Sequence, residues 1–157
     1  MVSKLQEEIK QTRPFVTLEA EAALNIRRTS DRLQNYTQRI FKPHGITPTQ
    51  YNVLRILRGA GDPGLRCSEI GERLVSSDPD ITRLLDRLQK QKLIRRKREP
   101  KDRRVIYATI TAEGLRLLKE MDPIVTDSVK DFLGHMSHEK LTTLIALLEE
   151  ARSSLTE

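Results

Sequence analysis

Apolar residues in the first third of the chain recur at helical intervals. Residues 1 to 14 are polar and stop at Pro14, which predicts a loose or helical arm. From Leu18 to Phe41 the set Ala22, Ile26, Leu33, Tyr36, Ile40 and Phe41 marks one side of a long helix, ended by Pro43-His44-Gly45. Thr47-Pro48 then couples a capping hydroxyl to a proline at the first helical position. The helix it opens runs through Tyr51, Leu54, Ile56 and Leu57 to Gly59-Ala60-Gly61, before the turn Asp62-Pro63-Gly64. Ser68-Glu69-Ile70-Gly71 starts a short helix expected to bury Ile70, Leu74 and, at its end, Val75. Ser76-Ser77-Asp78-Pro79 opens the next, along which Ile81, Leu84, Leu85 and Leu88 repeat at i, i+3, i+4, i+7. Two short helices about four residues apart make a helix-turn-helix pair.

The period then changes. After Leu93-Ile94 comes a charged stretch, and Val105 to Thr111 is β-branched and aromatic, with Val105, Tyr107, Thr109 and Thr111 on one side of a strand and Ile106, Ala108 and Ile110 on the other. The stretch between, with Pro100 in its middle, is expected at the tip of a β-hairpin. Thr111-Ala112-Glu113-Gly114 opens a helix through Leu115, Leu118, Met121, Ile124, Val125, Val129 and Phe132, with Pro123 expected to bend it. Ser137 caps a last helix carrying Leu141, Leu144, Leu148, Ala151 and Leu155. The terminal helices hold more apolar surface than one small domain can cover, and a second copy is expected to bury it. The fold class is therefore mainly α with a small β-hairpin wing, a winged helix-turn-helix plus a helical dimerisation region. Residues 47-111 form the winged lobe, and 1-46 and 112-157 form the dimerisation helices of one intertwined domain.

Charge gives the pattern a direction. The chain of 157 residues carries a formal +6, and Arg95 to Arg104, reading RRKREPKDRR, holds seven basic and two acidic residues, a net of +5. Such a cluster displaces counterions from phosphates better than the same charge spread out. On the helix after Pro79 the apolar set takes one face and leaves Thr82, Arg83, Asp86, Arg87 and Lys90 on the other, free to enter a groove of duplex DNA. The competing reading is a solvated charged helix and loop, or a winged helix that contacts proteins alone, which has no need of so concentrated a wing charge. Catalysis is not expected: there is no glycine-rich phosphate loop or nucleophile motif, and aromatic content is 4%. Cys67 is the one cysteine, and His44, His135 and His138 lack metal-ligand spacing, so no metal and no cofactor are expected. No stretch approaches the ~18 apolar residues of a membrane span, and the expected location is cytoplasmic.

The order ITPTQYNVLRIL, CSEIGERL, DPDITRLLDRLQKQKLIRR and EPKDRRVIYATITAEGLRLL resembles the MarR family of bacterial regulators across nearly the whole chain. The resemblance implies a homodimer with interlocked terminal helices, two winged lobes on a pseudo-palindromic site, and often a small ligand that loosens DNA binding. It matches Thr82, Arg83 and Arg87 of the recognition helix and Asp102, Arg103 and Arg104 of the hairpin to the family's DNA contacts, and Ser77, Lys97, Arg98 and Lys101 beside them are expected to contact DNA as well. There Asp102 would brace an arginine, while Arg103 or Arg104 enters the minor groove. A ligand pocket for a small aromatic effector would involve Tyr36, Phe41, His44, Tyr51, Asn52 and Arg55; the competing reading makes Tyr36, Phe41 and Tyr51 ordinary core packing and His44 a loop cap. The family's glycine after the recognition helix is Lys92 here, which is expected to remove a left-handed cap.

Overall fold

The structure, a computed structural model, describes residues 3–76, 80–102 and 104–155. It divides into two compact units, Met1–Pro48 and Thr49–Glu157.

In the first unit, α1 (Lys4–Glu8) is capped by Ser3, whose hydroxyl accepts from the Gln6 N–H at 3.3 Å. Its Glu8 carboxylate accepts from Arg32 at 3.0 Å and lies 3.9 Å from Arg28, which ties the short helix to α2 (Leu18–Phe41). That long helix forms over the residues its apolar period predicts. Thr17 caps it by accepting from the Ala20 N–H at 3.2 Å, and Glu19 and Glu21 complement the positive end of its dipole. It ends in a 3-10 turn, Lys42–His44, that closes on Gly45 at φ +70°. Leu24, Ile26 and Leu33 of α2 remain exposed.

The winged helix forms in the second unit. Its elements are α3 (Pro48–Ala60), β1 (Leu65–Arg66), α4 (Cys67–Glu72), α5 (Ile81–Lys90), β2 (Ile94–Arg98), β3 (Ile106–Ile110), α6 (Ala112–Leu133) and α7 (His138–Ser153). Val53, Leu54 and Leu57 of α3, Ile70 of α4, Leu84, Leu85 and Leu88 of α5, Ile94 and Ala108 of the sheet, and Leu118 and Met121 of α6 are buried. Each buried leucine contributes roughly 1.5–3 kcal/mol. The antiparallel sheet has the order β1-β3-β2 and pairs Leu65 with Ala108, Arg96 with Ala108 and Arg98 with Ile106. Gly64, at φ +96°, makes the first pairing possible, because a side chain there would overlap the Ala108 carbonyl.

Several expectations are corrected. β1 is a third strand, too short at two residues to show alternation. The basic decapeptide is not all hairpin tip: Arg95 to Arg98 lie in β2 itself, and the tip spans 99–105. α4 begins at Cys67 because the Glu69 carboxylate accepts from the Arg66 N–H at 2.8 Å and ends the extended segment there. Val75, expected in the core, is 92% exposed beyond the end of α4. α5 begins after Asp80, whose carboxylate accepts from the Arg83 N–H at 3.0 Å; Ser77, Asp78 and Pro79 lie outside the described residues. Met121, counted among the surface needing a partner, is fully buried within its own chain.

Candidate DNA interface

Recognition by α5 requires one apolar and one polar face, and the helix divides that way. Leu84, Leu85 and Leu88 are buried while Thr82, Arg83, Asp86, Arg87 and Lys90 are exposed. The Arg83 side chain approaches Asp80 at 3.6 Å, but both are more than half exposed, so the pairing is worth little and leaves the arginine available. Arg87 makes no ion pair among the described residues.

The sequence did not reveal how α5 is fixed to the wing. Arg96, on β2, reaches back to the α5 carboxylate of Asp86 and to the side-chain oxygen of Gln89, and keeps only 25% of its side chain exposed. Strand alternation held the signal: Ile94 and Arg96 must share a face, and buried Ile94 shows that this face packs inward. Beside this link, Cys67, Thr82, Leu85, Arg96, Ile106 and Ala108 line a cavity of about 100 Å³. Cys67 is thus half-buried packing beneath α5.

At the hairpin, Lys97, Arg98, Lys101 and Arg104 are exposed. The Asp102 carboxylate accepts from the Arg104 N–H at 3.0 Å and its carbonyl accepts from the Val105 N–H at 2.9 Å. Asp102 therefore braces the backbone of the arginine segment, and the Glu99 N–H to Val105 carbonyl bond at 2.9 Å closes the loop beneath it. Arg103 lies outside the described residues, as does Ser77. The structure brings together Thr82, Arg83 and Arg87 on one helix face and Lys97, Arg98, Lys101, Asp102 and Arg104 on the adjoining hairpin. Arg66 and Tyr107, absent from the expected set, lie on the sheet itself, with the guanidinium 5.7 Å from the ring centroid.

The residues expected to meet a ligand divide between the units, Tyr36, Phe41 and His44 in the first and Tyr51, Asn52 and Arg55 in the second. Tyr51 is buried and donates to Asp122 at 2.7 Å, and Asp122 also accepts from Arg58 at 2.6 Å. Burial and the neighbouring Asp122 push the Tyr51 phenol up to about 12. Burial opposes ionisation of Asp122, but the hydrogen bonds from Arg58 and Tyr51 outweigh it and hold the carboxyl below its ordinary range. Asn52 accepts from the Val75 N–H at 3.1 Å, and Arg55 lies 5.9 Å over the Tyr51 ring. Among the described residues no helix is long and apolar enough to cross a membrane.

Residues 44–105 match the model of the MarR family. The chain is 32% identical over 106 residues to the HTH-type transcriptional regulator MhqR of Bacillus subtilis, covering 68% of this chain and 72% of that one. It is 39% identical to a MarR transcription factor from Planctomyces limnophilus, whose crystal structure superposes with a TM-score of 0.69 over 87% of this chain and 98% of the other. The fold is also that of the S. aureus MepR-DNA complex, with a TM-score of 0.77 at 24% identity over 85% of this chain and 97% of that one. The exposed arginine face of α5, the basic hairpin beside it and these likenesses have one reading: the chain belongs to the MarR family of winged-helix, DNA-binding transcriptional regulators.

Proposed function

We propose that the chain acts as a homodimeric repressor on a pseudo-palindromic operator, with α5 in the major groove and the hairpin tip in the neighbouring minor groove. The observation that carries this reading is the fixed link from Arg96 to Asp86 and Gln89, which makes helix and wing one rigid reading head. In this reading Thr82, Arg83 and Arg87 read base edges, Lys97, Arg98 and Lys101 neutralise phosphates, and Arg103 and Arg104 serve the minor groove. Two heads about 34–36 Å apart would meet successive major grooves on one side of the duplex. Residues 1-46 and 112-157 supply the dimer contacts; α7 carries Leu141, Leu144 and Leu148 yet buries no residue fully within its own chain. The test is selection from random duplexes followed by titration. Arg83→Ala or Arg87→Ala should cost roughly 1–3 kcal/mol at a preferred base and relax sequence choice there. Arg104→Ala should weaken binding to every duplex and flatten its salt dependence. Full affinity and unchanged preference in all three variants would remove α5 and the tip from the interface.

Release by a small aromatic acid is the accompanying proposal, with Tyr36, Phe41, His44, Tyr51, Asn52 and Arg55 as its candidate sensors. The Tyr51 hydroxyl and the Asn52 carbonyl already have partners within the chain, so Arg55, an exposed cation over a ring, is the group assigned to the effector carboxylate. A ligand regulates only by binding the DNA-incompetent state more tightly. Arg55→Ala should therefore abolish the response of DNA binding to a salicylate-like acid while leaving ligand-free binding intact.

A further inference from the structure

One face of the sheet holds cations, Arg66 and Arg95, that the reading head just described does not use. Strand register sets Arg66, Tyr107 and Lys97 side by side across β1, β3 and β2, and places Arg95 opposite Thr109 one position along. Successive residues of a strand point to opposite faces, so these five share the face opposite Ile94, Arg96 and Ala108, against which α5 lies. That face consists of three cations, a tyrosine and a threonine. Arg66, Arg95 and Lys97 are exposed, and none of them makes an ion pair among the described residues. Glu69 and Asp102, the carboxylates whose charge reaches Arg66, form no ion pair with it, and each accepts a backbone N–H, from Arg66 and from Arg104. Arg66, held over the Tyr107 ring, loses less freedom on meeting an anion than an unsupported side chain would.

We propose that this outer face is a second DNA-contacting surface, binding phosphates of the duplex that flanks the operator, beyond the base pairs reached by α5 and the hairpin tip. The inference rests on the reading of α5 and the tip given above. With α5 in the major groove and the tip in the next minor groove, the face turned away from α5 looks outward along the duplex. A row of cations there meets the backbone of the next turn, whatever its sequence, and the contact grows if the DNA bends toward the protein.

The experiment compares two duplexes carrying the same selected site, one trimmed at the last base pair protected by the tip and one extended by about ten base pairs, roughly one turn, on each side. Wild-type protein is expected to bind the extended duplex about tenfold more tightly at low salt, and to show a salt slope steeper by about two for each head, the value for two added phosphate contacts. The double variant Arg66→Gln/Arg95→Gln should bind the trimmed duplex as the wild type does and gain less than about threefold from extension. Arg66→Gln alone should lose part of the gain. Absence of any gain in the wild type, or a full gain in both variants, overturns the proposal. Failure of the underlying reading looks different: the trimmed duplex would then show no sequence preference with any of the proteins.

Discussion

Lys92 occupies a place that normally asks for glycine. It stands at φ +63° just after α5, where the Leu93 N–H bonds the Leu88 carbonyl at 3.0 Å and the Lys92 N–H bonds the Gln89 carbonyl at 2.9 Å, the pattern of a left-handed helix cap. The sequence suggested that lysine would abolish this cap, but the cap survives. Burial of Leu88 and Leu93 on either side of the turn holds the backbone in place against a left-handed cost of about 1–2 kcal/mol. Part of that cost would be returned as unfolded-state entropy, so Lys92→Gly is expected to stabilise the fold by about 0.5–1 kcal/mol, read as a higher urea midpoint. Arg96 calls for a different test. Its removal would leave the Asp86 carboxylate unpaired on the face that meets phosphates, so Arg96→Ala should lower operator affinity on the order of tenfold. Adding Asp86→Asn should restore much of the loss, measured by anisotropy titration; no recovery would mean that Arg96 acts by another route.

At the scale of elements, close approach and paired charge fix α6 in place. Gly114 sits in its first turn, where a side chain would overlap the Leu93 carbonyl and come within 2.7 Å of Ile110 Cγ1. Alanine favours helix over glycine by about 1 kcal/mol, yet overlap with backbone cannot be relieved by a rotamer change. Gly114→Ala should therefore be destabilising by about 1–3 kcal/mol in denaturant titration. Further along α6, Asp122 clasps Tyr51 and Arg58 of α3. The raised Tyr51 phenol adds stability below its ordinary value of 10.0 that is lost as pH climbs toward about 12. The lowered Asp122 carboxyl adds stability above 3.8 that is lost on acidification. Tyr51→Phe should cost about 1 kcal/mol near neutrality, since a hydrogen bond to a partly exposed carboxylate goes, and should flatten the alkaline arm of the stability profile. The long helices, the caps at Thr111 and Ser137, and α5 were legible because each carries its own period and punctuation. β1 and the Arg96 link were not, because both are defined by what lies across from them: two residues have no period, and an arginine in a basic run looks like its neighbours.

For the whole molecule, the apolar residues left exposed on α6 and α7, among them Leu115, Ile124, Val129, Ile145 and Leu147, are the surface on which dimer formation is predicted. Sedimentation at micromolar concentration should show a dimer, and charged substitutions at Ile145 and Leu147 should shift it toward monomer if this surface is the contact. The order of the sheet has a consequence of its own. β2 is an edge strand, its outer row of amides and carbonyls unpaired by any strand of the sheet, and such edges invite another chain to add on. Here the edge reads Ile-Arg-Arg-Lys-Arg, so a second copy aligning against it would set cation against cation. The residues that suit the strand to a polyanion also keep free molecules from zipping together. That protection is electrostatic and therefore conditional: a short, flexible polyanion that neutralised the arginines without covering the edge would expose a ready template for β-pairing, and the protein should be most prone to precipitate at substoichiometric amounts of such a polymer.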